Sequence, residues 1–322
     1  MTIEFQLLPG AQFAPQASAI LTAAWSAPAL HYTPEYLHWQ MSFPGPAEAP
    51  AVAAFVDSSP AGFAGSTHRR LRYGPEIVDV LLVSFVAVHP DFRNRGIAAG
   101  LYRTLLAAIA AARLPVITFA QAGSAGQKAL ERAYVNAGFE LRSLGSYPAF
   151  ACAPRAVQET QWTPQASTPA LGESVARAVD ACAADRSLLW SAPSDVQWLH
   201  YLEDPRPRSL LSLQSRDGEA AAAWMVQTAY VSAQGVNSVA TIDCAWLNRA
   251  RPELLSGLAS AVAGLSPAVT TMVNAPSLAG FDPKLLRQAG FRQVGPGFQG
   301  YCATAAGSVP LPPAAAVNCE IV

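Results

Sequence analysis

The chain has 322 residues, about two domains at roughly 100–200 residues each. It is 51% hydrophobic and 13% charged, against a usual ~25% charge, so it can fill sizeable cores and is not held open by charge repulsion. A net charge of -1, from 21 basic and 22 acidic residues, gives no general attraction to nucleic acid.

No stretch reaches the roughly 18 uninterrupted apolar residues that a membrane span needs. The start, MTIEFQLLPG, has Glu4 and no basic segment, so a signal peptide is not expected. Cys152, Cys182, Cys244, Cys302 and Cys319 are odd in number and widely spaced. That pattern argues against a disulfide framework and against a zinc site, and the expected compartment is the cytoplasm.

In chain order, residues 2–8 alternate like a strand, 15–25 read as a helix, and 35–43 as a short amphipathic helix stopped by Pro44-Gly45-Pro46. Apolar runs at 51–56 and 61–66 flank Asp57-Ser58-Ser59-Pro60, a hairpin turn. A longer strand is predicted over 77–88. After it Ile97, Leu101, Leu105, Ala108, Ile109 and Ala112 recur at helical spacing. A strand over 114–119, a helix over 126–137 and one or two strands over 139–152 follow.

The segment 154–172 has several prolines and no period, and reads as a linker. The order of elements then recurs. A helix is expected over 173–183 and a short one at Trp198-Leu199-His200-Tyr201-Leu202. Strands are expected at 210–214, 220–231 and 238–246. Pro252 opens a helix. A strand at 268–273, a helix opening at Asp282-Pro283 and strands within 291–304 complete the second half. Residues 305–322 read as an Ala/Pro-rich tail.

Two short matches support duplication. Leu37-His38-Trp39 meets Leu199-His200-Tyr201, 162 residues on, and Ala137-Gly138-Phe139 meets Ala289-Gly290-Phe291, 152 residues on. The expected fold is therefore α+β in two units of one topology, with bounds 1–153, a linker 154–172, 173–304 and a tail 305–322.

The chemistry concentrates in Val86-Ala87-Val88-His89-Pro90-Asp91-Phe92-Arg93-Asn94-Arg95-Gly96-Ile97-Ala98. A strand ends, a glycine turn follows, and an amphipathic helix begins at once. Such a helix start offers unpaired N–H groups and the positive end of the helix dipole, which suit an anion. Gly96 and Ala98 let a phosphate approach the backbone, and Arg93 and Arg95 add charge.

This run resembles motif A of the GNAT acyltransferase superfamily: Arg or Gln, two residues, Gly, one residue, then Gly or Ala. Arg93, Gly96 and Ala98 fill those places. A second signature, Tyr, three residues, then Gly-Phe, is met by Tyr134, Gly138 and Phe139. The resemblance spans about residues 3–150. Together with the internal repeat it implies two GNAT-like units, each a central twisted, mostly antiparallel sheet flanked by helices.

It also implies acetyl-CoA, or another acyl-CoA, as co-substrate, with no metal. Pantetheine would add along Val86, Ala87 and Val88, with the Val86 N–H polarising the thioester carbonyl. The pyrophosphate would lie on Arg93, Asn94, Arg95, Gly96, Ile97 and Ala98. Gln127 stands where an Asn that contacts pantetheine is common. Tyr134 is the implied general acid for the departing thiolate.

No general base stands out. Asp79 and Ser84 on the strand, and Glu35 and His38 on the second helix, each could relay a proton. The run His68-Arg69-Arg70-Leu71-Arg72 reads as a solvated hairpin, the alternative being contact with the CoA 3'-phosphate or an acidic acceptor. The second half has Arg251-Pro252 in place of the glycine turn and Leu286 in place of the tyrosine, so it reads as degenerate.

The expected activity is N-acyl transfer to a small-molecule amine, with no membrane partner. Two alternatives are a Fem-type aminoacyl-tRNA-dependent transferase and a catalytically inactive CoA sensor. The balanced charge argues against the first, and Tyr134 against the second.

Overall fold

A computed structural model describes residues 2–25, 29–30, 32–153, 162–165, 168–169, 171–184, 188–214, 220–232, 235–265, 271–273, 281–314 and 316–319. The first half runs β1 (Ile3–Pro9), α1 (Ala14–Ala24), β2 (Ala29–Leu30), α2 (Pro34–Met41), β3 (Pro50–Val56), β4 (Ser59–Tyr73) and β5 (Glu76–Val88). It continues through α3 (Ile97–Ala112), β6 (Val116–Gln121), α4 (Ala125–Asn136), β7 (Glu140–Tyr147) and β8 (Phe150–Cys152).

The second half runs β9 (Thr163–Gln165), α5 (Leu171–Ala183), β10 (Leu188–Ser191), α6 (Asp195–Leu202), β11 (Arg208–Gln214), β12 (Ala220–Ser232) and β13 (Gly235–Leu247). Then come α7 (Pro252–Leu265), β14 (Thr271–Val273), α8 (Pro283–Gln288), β15 (Arg292–Gln293), β16 (Phe298–Thr304) and β17 (Ala316–Asn318).

Local chemistry explains these elements. Asp57 and Ser58 both take positive φ, 46° and 70°, the two-residue turn that suits the twist of a β3–β4 hairpin. Pro34 opens α2 behind Thr33, whose hydroxyl accepts the Tyr36 amide at 3.2 Å. On α3, Ile97, Leu101, Leu105, Leu106 and Ile109 are buried and form the stripe that packs on the first sheet.

Two compact units result: Met1–Arg69 with Asp79–Leu144 and Gln299–Pro312, and Arg70–Val78 with Gly145–Phe298 and Pro313–Val322. In the first the strand order is β1-β3-β4-β5-β6-β16-β7. In the second it is β15-β8-β14-β13-β12-β11-β9. Both are mixed sheets: β1/β3, β3/β4, β11/β12 and β12/β13 are antiparallel, and β5/β6 and β13/β14 parallel. The α+β class holds.

The expected bounds 1–153 and 173–304 do not describe these units. β16, counted with the second half, lies between β6 and β7, and β8, counted with the first, lies between β14 and β15. Each half thus supplies one interior strand to the other unit. A strand's apolar pattern says that it pairs, not in which sheet.

The linker and tail also carry structure. β9 lies inside 154–172 and pairs with β11; residues 154–161, 166–167 and 170 of that segment lie outside the described residues. β17 lies inside the tail, parallel to β10, with the Asn318 amide donating to Ala245 O at 2.8 Å.

The basic run at 68–72 is not solvated throughout. His68 and Arg69 are each only 2% exposed, because β4 extends to Tyr73 through the core. The His68 Nε2–H donates to Ala47 O, and burial lowers the ring's pKa. The Arg69 guanidinium lies 4.5 Å from the centre of the Phe43 ring.

Candidate acyl-CoA site

β5 and β6 pair in parallel only at Leu81–Val116, Leu82–Ile117 and Val83–Thr118, although the strands run on to Val88 and Gln121. At the last pair the Thr118 hydroxyl donates to Val83 O at 3.2 Å. Just beyond it Phe85 takes φ 59°, a left-handed conformation strained for a large side chain. The strand bulges there, and its main chain over 84–88 leaves the β6 ladder. The Phe85 ring packs on Tyr32 with centroids 5.6 Å apart.

Val86 and Val88 pack against the α3-side core, and Ala87 is buried. A short turn over Pro90–Phe92 leads to Asn94 at φ 62° and Gly96 at φ 78°. Gly96 is the N-cap of α3 and no side chain caps the helix; the first intrahelical bond is Gly100 N–H to Gly96 O at 3.1 Å. The amides at 96–99 therefore have no partner within the helix. A Cβ on Gly96 would meet nothing within 4 Å, so the backbone angle, not crowding, is what calls for glycine.

Arg93, Asn94 and Arg95 are exposed around this helix start. The Arg93 guanidinium donates to Ala24 O at 3.0 Å, and Arg95 lies 5.5 Å from the centre of the Phe92 ring. Both cations are thereby held beside the turn. Ile97 is buried in the core and Ala98 is half-buried.

Tyr134 lies on α4, fully buried, with its ring edge-on to Tyr102 (6.3 Å) and Phe139 (5.5 Å). Its hydroxyl has no hydrogen-bond partner among the described residues and faces Thr118, where the β5–β6 ladder ends. Burial holds this phenol well above its ordinary range, so it stays protonated at neutral pH.

Gln127 is committed elsewhere. Its Nε2 donates to Glu131 at 2.9 Å and to the Tyr301 hydroxyl at 2.7 Å, and its Oε1 accepts the Gly123 amide at 2.8 Å. The Tyr301 hydroxyl also donates to Glu131. That bond, then the one from Gln127, lowers the Glu131 pKa; burial and the carboxylate push Tyr301 up to about 12. The network ties the β6–α4 turn to β16. Tyr301 was missed in the sequence because it lies in a strand assigned to the other half.

Of the four residues named as possible bases, Glu35 and His38 are exposed and Asp79 is half-buried. Ser84 adjoins the bulge, and its buried Oγ has no partner among the described residues.

In the second unit, β13 and β14 likewise pair at three positions, ending at Ile242–Val273. Asp243 is the extra residue there and is buried, with the Arg206 guanidinium 3.4 Å away. Pro252 removes one donor from the α7 start, and Glu253 puts an acid in its first turn. Leu286, in the tyrosine's place, is buried.

Residues 14–139 match the Acetyltransferase (GNAT) family. No curated protein matches the chain. Among solved structures, N-myristoyltransferase of Saccharomyces cerevisiae with bound myristoyl-CoA is similar at 11% identity and TM-score 0.68, over 100% of this chain and 83% of that one. A probable N-acyltransferase from Enterococcus faecalis matches at 14% identity and TM-score 0.52, over 93% and 72%. A GCN5-related N-acetyltransferase from Anabaena variabilis matches at 14% and 0.53, over 92% and 72%. Residues 14–139 are the part that matches the GNAT family, and the fold is the one these solved structures share.

Proposed function

We propose that the first unit transfers an acyl group, most simply acetyl, from acyl-CoA to the amine of a small molecule. One observation carries this reading: the β5–β6 ladder stops at Val83–Thr118, and a buried, unpartnered Tyr134 hydroxyl faces that point. The open start of α3 supplies the matching anion site.

In this reading the amides at 96–99 bind the pyrophosphate, with Arg93 and Arg95 beside them. Val86, Ala87 and Val88 hold pantetheine through main chain, and the Val86 N–H polarises the thioester carbonyl. The amine nitrogen bonds to the acyl carbon, the carbon–sulfur bond breaks, and Tyr134 gives the thiolate its proton and regains one from solvent. The proton lost by the amine passes to solvent. Positioning supplies much of the acceleration. Gln127 enters through the β6–α4 turn that it holds, since both of its amide hydrogens are taken.

The second unit is read as structural: Pro252, Glu253 and Leu286 replace the anion site and the acid. All five cysteines are buried, and this reading places the chain in a reducing cytoplasm. Among the described residues no helix is long and apolar enough to cross a membrane.

The test is free-thiol release from acetyl-CoA across a panel of amines. Release dependent on an amine supports the reading. Tight acetyl-CoA binding with no release on any amine would replace it by a CoA sensor.

A further inference from the structure

The described residues of the first unit contain a group of buried polar atoms that the acyl-transfer steps do not use. Gln40 Nε2, Thr67 Oγ1 and Ser84 Oγ are buried and have no hydrogen-bond partner among the described residues. Gln40 and Thr67 are at most 1% exposed. Native folds seldom leave such groups unpaired, and a ligand is one way in which they are satisfied.

The three share one side of the sheet. On β4, Phe63 meets Phe13, Gly65 adjoins Met41, and Arg69 lies over Phe43, so 63, 65, 67 and 69 face α1 and α2. Gly62, by contrast, faces Ile97 and Leu101 of α3. On β5, Leu81 and Val83 belong to the α3-side core, which leaves Leu82 and Ser84 on the α2 side.

The tight turn between Tyr73 and Glu76 and the bond from His89 N–H to Ala61 O fix the β4–β5 register, with one extra residue at the Phe85 bulge. Ser84 then opposes Gly65, and Thr67 opposes Leu82. Thr67 and Ser84 are diagonal neighbours, about 7 Å apart in backbone terms, and the Phe63 ring and the Met41 sulfur lie over Gly65. Gln40 reaches this face from α2, one residue before the Met41 that adjoins Gly65.

We propose that Gln40, Thr67 and Ser84 receive a carbonyl oxygen carried by the acceptor next to its amine, as in an α-amino acid or its amide. This rests on the acyl-transfer reading above. Ser84 stands two residues before Val86, whose N–H faces the thioester in that reading, so an oxygen held here leaves the neighbouring nitrogen beside the acyl carbon. All three groups can donate, and the buried Arg69 guanidinium lies on the same face. Donors plus a fixed cation favour an oxygen and disfavour a second ammonium. In the reaction the acceptor nitrogen gains the acyl group, the thiol leaves with the Tyr134 proton, and the nitrogen's proton goes to solvent.

The probes are alanine and phenylalanine, each beside its amide and its decarboxylated amine, ethylamine or phenethylamine, with 1,2-diaminoethane as the second-cation control. Thiol release from acetyl-CoA should be at least tenfold higher in kcat/KM for a carbonyl-bearing member than for its bare amine. The acid and amide arms decide whether the oxygen is charged. Thr67→Val should raise the acceptor KM at least tenfold, leave acetyl-CoA binding within twofold, and raise the melting temperature of the unliganded protein. Gln40→Leu is the second variant.

Equal turnover of carbonyl-bearing and bare amines overturns the proposal. So does a Thr67→Val protein that melts lower with its acceptor KM unchanged, which would mark the hydroxyl as structural. Turnover of bare amines alone removes this inference and leaves the acyl-transfer reading standing, whereas no turnover on any amine removes both.

Discussion

Replacing Tyr134 by phenylalanine removes a single hydroxyl and keeps the ring that packs on Tyr102 and Phe139. The structure gives stability and activity opposite signs. The hydroxyl is buried without a partner, a condition that costs about 1–3 kcal/mol for a group taken from water, so Tyr134→Phe should leave stability unchanged or raise it by up to about 1 kcal/mol. Turnover should fall by roughly 100-fold or more, about 2.7 kcal/mol in the barrier, because the thiolate loses its proton donor. The folded-state pKa of Tyr134 lies well above 10.0, so the group adds no pH dependence to stability below that value. Above it the unfolded chain releases the proton and the folded one does not, so this contribution to stability declines as pH rises. The assay is single-turnover thiol release from acetyl-CoA beside thermal melting. A rate within a factor of about two of the wild type, with chemistry rate-limiting, refutes the acid role. A clear loss of stability would show that the hydroxyl has a structural partner.

Gly96→Glu places a carboxylate at the anion site and an L side chain at φ 78°, and calorimetry should show acetyl-CoA affinity reduced at least tenfold, about 1.4 kcal/mol, with the circular dichroism spectrum intact. Tyr301→Phe removes the first of the two bonds that lower the Glu131 pKa and leaves the one from Gln127, so the pKa should rise part of the way towards 4.5. Because the folded pKa is depressed, the wild-type advantage is present above that value and is lost as pH falls below it; melting curves from pH 3 to 7 should converge at the acid end. A chain ending before residue 299 loses β16 from between β6 and β7, and its first unit should fail to give a cooperative melt. A cooperative, acetyl-CoA-binding fragment would contradict the exchange of strands.

The parts of the site written in side-chain identity were legible in the sequence. Gly96 marks the turn before a helix, and the spacing of Ile97, Leu101 and Leu105 marks a buried helix face. What depends on long-range pairing was not. Phe85 gives no sign that its φ is positive, since the bulge is set by β4 on one side and the diverging β6 on the other. The strands at 150–152 and 298–304 were expected, but not their partners, so the units were drawn as contiguous and Tyr301 was never set beside Gln127. His68 and Arg69 were misjudged because charge argues for solvent, whereas a long central strand carries them into the core with Ala47 O and the Phe43 ring as partners.

The central claim is that acyl-CoA lies on the free edge of β5 and the start of α3 in the first unit. Amide hydrogen exchange with and without acetyl-CoA reads it without any knowledge of the acceptor. Binding should protect the amides of Val86, Ala87 and Val88 together with those at 96–99, and leave 247–255, the matching segment of the second unit, unchanged. Protection at 247–255 with none at 86–88 and 96–99 would contradict the account.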